Sequence, residues 1–469
     1  MLRFFEPRGV AIVGASGSAA NLGYAVMKNM LDAGFSGKIY PVNPKEAEVL
    51  GVRAYGSVSE IPAHEPVDLA ILLVPAYDTP KVMRDCARRG VKYVMIEAAG
   101  FSEAGEEGRR LEQEIVEIAR EGGMRIVGPN CLGSINTANN LVSIFVKYHV
   151  RRGNVAIIAQ SGGVGLLLLD WVCEHLGVSK FVGLGNKCDV DEADLLEYLA
   201  EDGETKVVMI YMEGIRNGRR LLDAMKAAVK KKPVLVLKAG RFATGMSAAK
   251  SHTGAMIADD SVVDAAFKQA GVLRVETLEE LFDCAKCLAT QPLMRGANVA
   301  IMSTSGGLGV VAADALGRHG LALGKLSETS LKVVRKYPYL KGNPLDLGQA
   351  GGDPAVYSEV LEALLADNGV DGIVIVMVFW AEGLERFIEV LEDMAEQGLK
   401  KPVVFCGVDG THVIKDVEQR IKSLESAGIP TYPTPERAVR ALAALRKYTV
   451  ARQPSSLRKG DVSRKGVSQ

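Results

Sequence analysis

His252 stands in the run Lys250-Ser251-His252-Thr253-Gly254-Ala255, an imidazole among small residues ahead of a helix-like pattern. Such a setting is a loop that displays its histidine. An ordinary imidazole titrates near pH ~6.5, so a neutral ring nucleophile is available at neutral pH. A phosphoryl group is an electrophile that such a ring can carry. Glu213, in Tyr211-Met212-Glu213-Gly214 just past an apolar run, is the carboxylate expected to orient or hold the other ring nitrogen. The other five histidines, His64, His149, His175, His319 and His412, have no comparable setting.

Phosphate chemistry also needs an anion site, and the chain carries two copies of one. Val155-Ala-Ile-Ile-Ala-Gln-Ser-Gly-Gly-Val-Gly165 aligns with Val299-Ala-Ile-Met-Ser-Thr-Ser-Gly-Gly-Leu-Gly309, offset by a constant 144 residues (Ser161 against Ser305). Each copy then reaches an acid, Asp170 or Asp314. A Ser-Gly-Gly-x-Gly turn between a strand and a helix leaves its amides open and sets a helix dipole behind them. Gln160, Ser161, Gly162 and Gly163 form the first turn, and Ser305, Gly306 and Gly307 the second. The two serine hydroxyls are further donors. Glycines in such turns also serve close packing; the duplication favours phosphate.

A third turn, Val13-Gly14-Ala15-Ser16-Gly17-Ser18, follows the first apolar run and lacks the full G-x-G-x-x-G pattern. The next strand ends in Ile39-Tyr-Pro-Val-Asn43-Pro-Lys45. A NAD site would offer an acid near here for the ribose hydroxyls. This chain offers Asn43 and Lys45 instead. A lysine there suits an extra phosphate, that of NADP or that on the 3′-phospho-ADP of coenzyme A, and the turn does not separate the two.

The elements that must hold these residues are legible in the apolar runs. Val10–Val13, Leu69–Val74, Tyr93–Ile96 and Arg125–Val127 form one set, and Val155–Ile158, Val207–Tyr211 and Val234–Leu237 a second. Val299–Met302, Ile373–Val378 and Val403–Phe405 form a third. Continuous rather than alternating apolar strands imply burial on both faces, hence parallel sheets covered by helices. The fold class is α/β, with three open parallel-sheet domains expected at 1–148, 149–292 and 296–452 and a basic disordered tail at 453–469. Ligands of such sheets gather beyond the carboxyl ends of the strands.

Composition narrows the function classes. Lys plus Arg equals Asp plus Glu at 56 each, so no global field favours nucleic acid or an anionic membrane. No signal segment and no run long enough to span a bilayer is visible. The seven cysteines are odd in number and scattered. Cys284 and Cys287 form a CxxC inside an apparent helix with no second pair, so they read as buried thiols and no metal site is expected on this chain. The expected compartment is the cytoplasm.

The motifs together resemble the α subunit of NDP-forming acyl-CoA synthetases, specifically of ADP-forming acetyl-CoA synthetase, relatives of succinyl-CoA synthetase. The resemblance runs from about Phe4 to about Tyr448. It rests on Pro7–Ser16, Pro41–Lys45, Gly128-Pro-Asn-Cys-Leu-Gly133, Gln160–Gly163, Leu184–Lys187 with Asp189–Asp191, Tyr211–Glu213, Leu237–Arg241, Ser251–Gly254 and Asn343–Asp346. It implies a Rossmann-like domain that binds coenzyme A through Gly14, Ser16, Gly17, Asn43 and Lys45. Asn130 and Cys131 would lie near the thioester. Two flavodoxin-like ligase domains would follow, with His252 phosphorylated, Glu213 its partner, and the two glycine turns opening paired phosphate-holding helices. The implied reaction takes acyl-CoA and phosphate to acyl phosphate, then phosphohistidine, then ATP from ADP with magnesium, on a moving loop.

Two departures stand out. The second turn reads Ser303-Thr-Ser-Gly-Gly-Leu-Gly309 in place of an Asn-Ala-Gly-Gly-Pro-Gly form, and no ATP-grasp region follows Asp346. The nucleotide site is therefore expected on a separate ATP-grasp β subunit, in an α2β2 assembly. The acyl group is not readable; acetate is the family's expectation, with branched and aryl acids open. Two other readings stay in play: a non-catalytic CoA-binding regulator, and an NADP-dependent oxidoreductase.

Overall fold

The computed structural model describes residues 1–242, 244–245, 259–350, 353–378, 384–408 and 417–453. His252, His412 and the expected tail from 454 onward lie outside the described residues. The chain divides into two compact units, Met1–Glu276 and Thr277–Gln469.

The first unit holds two large sheets and a two-stranded antiparallel pair, Glu48–Val49 with Val52–Arg53. In the first, strands β1 (Gly9–Val13), β2 (Lys38–Val42), β3 (Leu69–Leu72), β4 (Tyr93–Ile96) and β5 (Arg125–Val127) lie in the order β2-β1-β3-β4-β5, all parallel. Helices α1 (Leu22–Ala33), α2 (Thr79–Arg89) and α3 (Glu106–Gly122) are among the connections. Helix α1 starts where Asn21 accepts from the Gly23 amide and stops at Gly34, whose φ of 71° is left-handed. The strand order reverses between β1 and β3, the switch point where open α/β sheets bind ligands.

The second sheet contains β6 (Gly133–Asn136), β7 (Leu141–Val142), β8 (Arg152–Ala159), β9 (Val178–Gly183), β10 (Val207–Met212), β11 (Val234–Lys238) and β12 (Leu273–Val275). Their order is β12-β11-β10-β8-β9-β6-β7. The five from β8 to β12 are parallel, while β6 and β7 join antiparallel at one edge. Residues 133–142 thus belong to the second sheet, although the sequence puts them before the 148/149 boundary. Their short polar-interrupted pattern hides the pairing: Asn136 donates to Phe5 O and Ser134 shares a hydrogen bond with Ser143, so polar residues are satisfied inside.

The Leu184–Asp191 segment joins the two large sheets of this unit. The Asn186 amide donates to Pro129 O, the Cys188 amide to Gly128 O and the Val190 amide to Ile126 O. Arg125 forms ion pairs with Asp189 at 2.9 Å and Asp194 at 3.1 Å. A Cβ at Gly185 would sit 2.3 Å from the Pro129 and Asn130 carbonyls, which explains the glycine.

The second unit opens with helix α4 (Leu278–Thr290) and has one parallel sheet. Its strands are β13 (Asn298–Ser303), β14 (Ala322–Leu323), β15 (Leu345–Asp346), β16 (Gly372–Val378), β17 (Val403–Val408) and β18 (Thr431–Tyr432). The order is β14-β13-β16-β17-β18, with β15 beside β13. Helix α4 packs within this unit. Its buried Asp283 accepts from Arg437 and Arg440, and Lys286 donates to Glu425 at 2.7 Å. Cys284 and Cys287 are buried on the same helix, and burial pushes the Cys287 thiol up to about 12. All seven cysteines are unpaired. Among the described residues, no helix is long and apolar enough to cross a membrane.

Candidate active site

Strand β8 ends at Ala159 and the helix Gly162–His175 starts three residues later, as the Gln160–Gly163 turn requires. Ser161 is its N-cap residue, and its hydroxyl makes no capping bond. A Cβ at Gly163 would meet nothing within 4 Å, whereas one at Gly165 would lie 3.0 Å from the Phe181 ring and 3.1 Å from Ala159. The glycines therefore divide their work: Gly163 keeps the helix mouth open, and Gly165 lets the helix approach the sheet.

Gln160 is drawn inward. Its Oε1 accepts from the amides of Glu213 (2.8 Å) and Gly214 (3.1 Å), the residues that follow β10. The sequence assigns Gln160 to phosphate; the structure shows its carbonyl holding the Glu213 loop. Lys187 holds the same loop, donating to Gly214 O at 2.8 Å and to Glu192 Oε1 at 2.7 Å. Lys187 is 2% exposed and Glu213 is 7% exposed. Tyr211 donates to Glu213 Oε1 at 3.3 Å. Burial, then the Glu213 carboxylate, raises the Tyr211 hydroxyl above its ordinary range, so it stays a donor at neutral pH. Lys238 ends β11, paired with Met212 of β10, and burial lowers its ammonium pKa. Glu213, the Gln160 turn and two lysines thus meet at the carboxyl edge of one sheet. Lys187 and Lys238 lie in motifs quoted for the family resemblance, but their burial was not readable from spacing.

The repeat of the turn in the second unit has the same strand–turn–helix form, with β13 leading into the helix Gly306–Arg318. Its interior differs. Ser303 Oγ donates to Ser305 O and accepts from the Ser305 amide, and Thr304 Oγ1 accepts from the Val378 amide. A Cβ at Gly306 would lie 2.7 Å from Asp346 Oδ2, while Gly307 is open. A carboxylate therefore stands at this helix mouth, where an incoming phosphate would meet it.

The first sheet offers a cavity of ≈ 820 Å³ at its switch point. Gly14, Ser16, Asn43 and Lys45 line it, and so do Lys81 and Arg88. Gly14 has φ 92° and would clash with Leu73 O, so only glycine serves there. An acid is present after all, one residue beyond Lys45. Glu46 accepts from Ser16 Oγ and the Gly17 amide, each at 2.9 Å, and from Asn43 Nδ2 at 3.0 Å. The sequence reading stops at Asn43 and Lys45 and misses it. Asn130 is exposed with φ 55°. Cys131 is 3% exposed, and its thiol contacts Ile96 O at 3.2 Å. Burial raises that thiol far above its ordinary pKa, so Cys131 is a neutral core group.

Three family models match the chain: a CoA binding domain over residues 8–137, a succinyl-CoA ligase like flavodoxin domain over 152–288 and a ligase-CoA domain over 299–458. The chain is 42% identical over 455 residues to the α subunit of acetate–CoA ligase [ADP-forming] I of Pyrococcus furiosus, covering 95% of this chain and 97% of that protein. It is 33% identical to the 4-hydroxybutyrate–CoA ligase [ADP-forming] of Nitrosopumilus maritimus, spanning 98% of this chain and 66% of that longer one. Among solved structures, the dinucleotide forming acetyl-coenzyme A synthetase 1 of Ca. Korarchaeum cryptofilum, in complex with phosphate and ADP, superposes with TM-score 0.90 at 34% identity, covering 98% and 99% of the two chains.

Proposed function

Because this chain belongs to the ADP-forming acyl-CoA synthetase family, we propose that it is the α subunit of an ADP-forming acetate–CoA ligase. Acyl-CoA, ADP and phosphate become acid, CoA and ATP, through acyl phosphate and a phosphohistidine at His252. The observation that carries the proposal is the buried Glu213 loop, clamped by Gln160 and Lys187 beside the open mouth of a helix. A carboxylate fixed in this way can accept the N–H of an imidazole and so present the other ring nitrogen as nucleophile. The first-turn amides and helix dipole would hold the phosphoryl oxygens while charge develops on them.

Coenzyme A would occupy the cavity of the first sheet. Its volume and lining cations, Lys45, Lys81 and Arg88, suit an adenosine phosphate with several negative charges. Among the described residues, no three His, Cys, Asp or Glu side chains gather to hold a metal ion. Magnesium would come with the nucleotide on an ATP-grasp β subunit. The α-subunit relative supports such a partner, and α2β2 is the assembly we propose. Balanced charge and unpaired cysteines fit work in the cytoplasm. The regulator and oxidoreductase readings leave the clamped Glu213 without a task.

The test is to co-express the chain with a β subunit of the family and assay ATP formation from ADP, phosphate and a panel of acyl-CoAs. Acetyl-CoA should support turnover that His252→Ala abolishes. Turnover unchanged in that variant would overturn the proposal.

A further inference from the structure

Glu46 has no task in the reaction above, yet it occupies the donors of the first glycine turn. Its Oε1 accepts from Ser16 Oγ at 2.9 Å and from Asn43 Nδ2 at 3.0 Å, and its Oε2 accepts from the Gly17 amide at 2.9 Å. The Ser18 amide in turn donates to Ser16 Oγ at 3.1 Å. A Cβ at Gly17 would lie 3.1 Å from Glu46 Oε2, so the glycine admits the carboxylate at close range. The loop that carries Glu46 is held separately. Asn43 Nδ2 also donates to Ala15 O at 2.8 Å, and Asn43 Oδ1 accepts from the Lys45 amide at 2.9 Å. Glu46 can therefore leave the turn while the loop stays tied to it through Asn43.

A turn after a strand that presents an amide and a hydroxyl together is an anion site. Here the anion on it is the chain's own. Glu46 does not resemble the acid that holds the ribose hydroxyls of a NAD site, because both of its oxygens are engaged by the turn and Asn43. It lines the ≈ 820 Å³ cavity together with Ser16 and Asn43. A phosphate that enters the cavity to reach the Gly17 amide thus meets a like charge on the same donors. Asp85 lines the cavity too, but it is held by the Val58 amide at 2.8 Å and by Arg88 at 3.2 Å.

We propose that Glu46 sets the affinity for coenzyme A by competing with its diphosphate for the Ser16 and Gly17 donors; this rests on the reading of the cavity as the coenzyme A site. Binding is an exchange in which no covalent bond changes. The carboxylate gives up the two donors for water, and diphosphate oxygens take them, with Lys45 left for the 3′-phosphate. A turn that Glu46 occupies in about nine molecules of ten weakens CoA about tenfold relative to an open turn. CoA leaves in one direction of the reaction and enters in the other. A residue that takes back the donors as the diphosphate departs eases that release.

The experiment titrates CoA, dephospho-CoA and pantetheine into the full chain with its β subunit, as wild type and as Glu46→Gln. Gln keeps an acceptor oxygen for Ser16 and Asn43 and drops the charge. The variant should bind CoA about tenfold tighter, and dephospho-CoA by the same factor, because both carry the diphosphate. Pantetheine, which has no phosphate, should not gain. CoA bound by the variant within about threefold of wild type, or more weakly, overturns the proposal and leaves Glu46 a brace of the turn. An equal gain for pantetheine overturns it as well. A second measurement needs no variant: in a crystal of the wild-type complex with CoA, a diphosphate oxygen should take the Gly17 amide, with Glu46 turned away. Glu46 still on that amide with CoA bound contradicts the exchange. A wild-type complex that binds no CoA overturns the reading of the cavity itself, and this inference with it.

Discussion

Replacing Gln160 by Met keeps the side-chain volume and removes the acceptor shared by the Glu213 and Gly214 amides. Each buried amide left without a partner costs about 1–3 kcal/mol, so the pair costs about 2–6 kcal/mol before any repacking. For a unit of this size, 1 kcal/mol corresponds to about 2–4 °C in melting temperature, so calorimetry should show a drop of at least about 4 °C in the transition of the first unit. Function should suffer more than stability. Glu213 loses one side of its clamp, so ATP-driven labelling of His252 should slow even well below the melting point. Gln160→Glu separates the effects: it keeps an acceptor oxygen for both amides but adds a negative charge beside Glu213. It should melt near wild type and still label slowly, with the defect eased by higher phosphate or ATP. A Gln160→Met protein that melts within about 1 °C of wild type and labels at the same rate would refute the reasoning.

Three further outcomes are expected. Lys187→Met should destabilise the first unit by about 3–5 kcal/mol in urea unfolding, because Glu192 is left buried and unpaired, and adding Glu192→Leu should restore most of it. Lys45→Ala should weaken CoA about tenfold or more in calorimetric titration while leaving dephospho-CoA nearly unaffected, the signature of a lost charged contact to the 3′-phosphate. Hydrogen bonds from Arg8 hold the Asp68 carboxyl below its ordinary pKa, so its stabilisation is complete above pH ~4 and is lost as pH falls through the lower folded-state value. Asp68→Asn should flatten the urea midpoint over that acid range and leave the slope above pH ~5 unchanged.

The parallel sheets were legible because Val10–Val13, Val155–Ile158 and Ile373–Val378 are apolar without alternation, and the glycine turns because two copies share one spacing. The edge strands Gly133–Asn136 and Leu141–Val142 were not, since Asn136 is satisfied by Phe5 O, 131 residues away, a partner that no local pattern announces. The same holds at the site. Glu213 could be picked from its place after a strand. The grip of Gln160 and Lys187 on its loop could not, because it spans 53 residues in one case and 27 in the other. Glu46 was hidden by proximity, one residue past the lysine that drew attention. Cys131 was expected near the thioester from the resemblance, and the burial of its thiol against Ile96 O was not readable from the Gly-Pro-Asn-Cys run.

The central claim is that this chain carries a phosphoryl group on His252, oriented by Glu213. The direct measurement incubates the chain and a β subunit of the family with magnesium and γ-labelled ATP, then follows protein-bound phosphate. The account predicts label on the wild-type chain that survives base, is lost in acid, leaves on addition of ADP, and is absent from His252→Ala and slow in Glu213→Gln. Equal labelling of His252→Ala, or a label stable in acid, would contradict it.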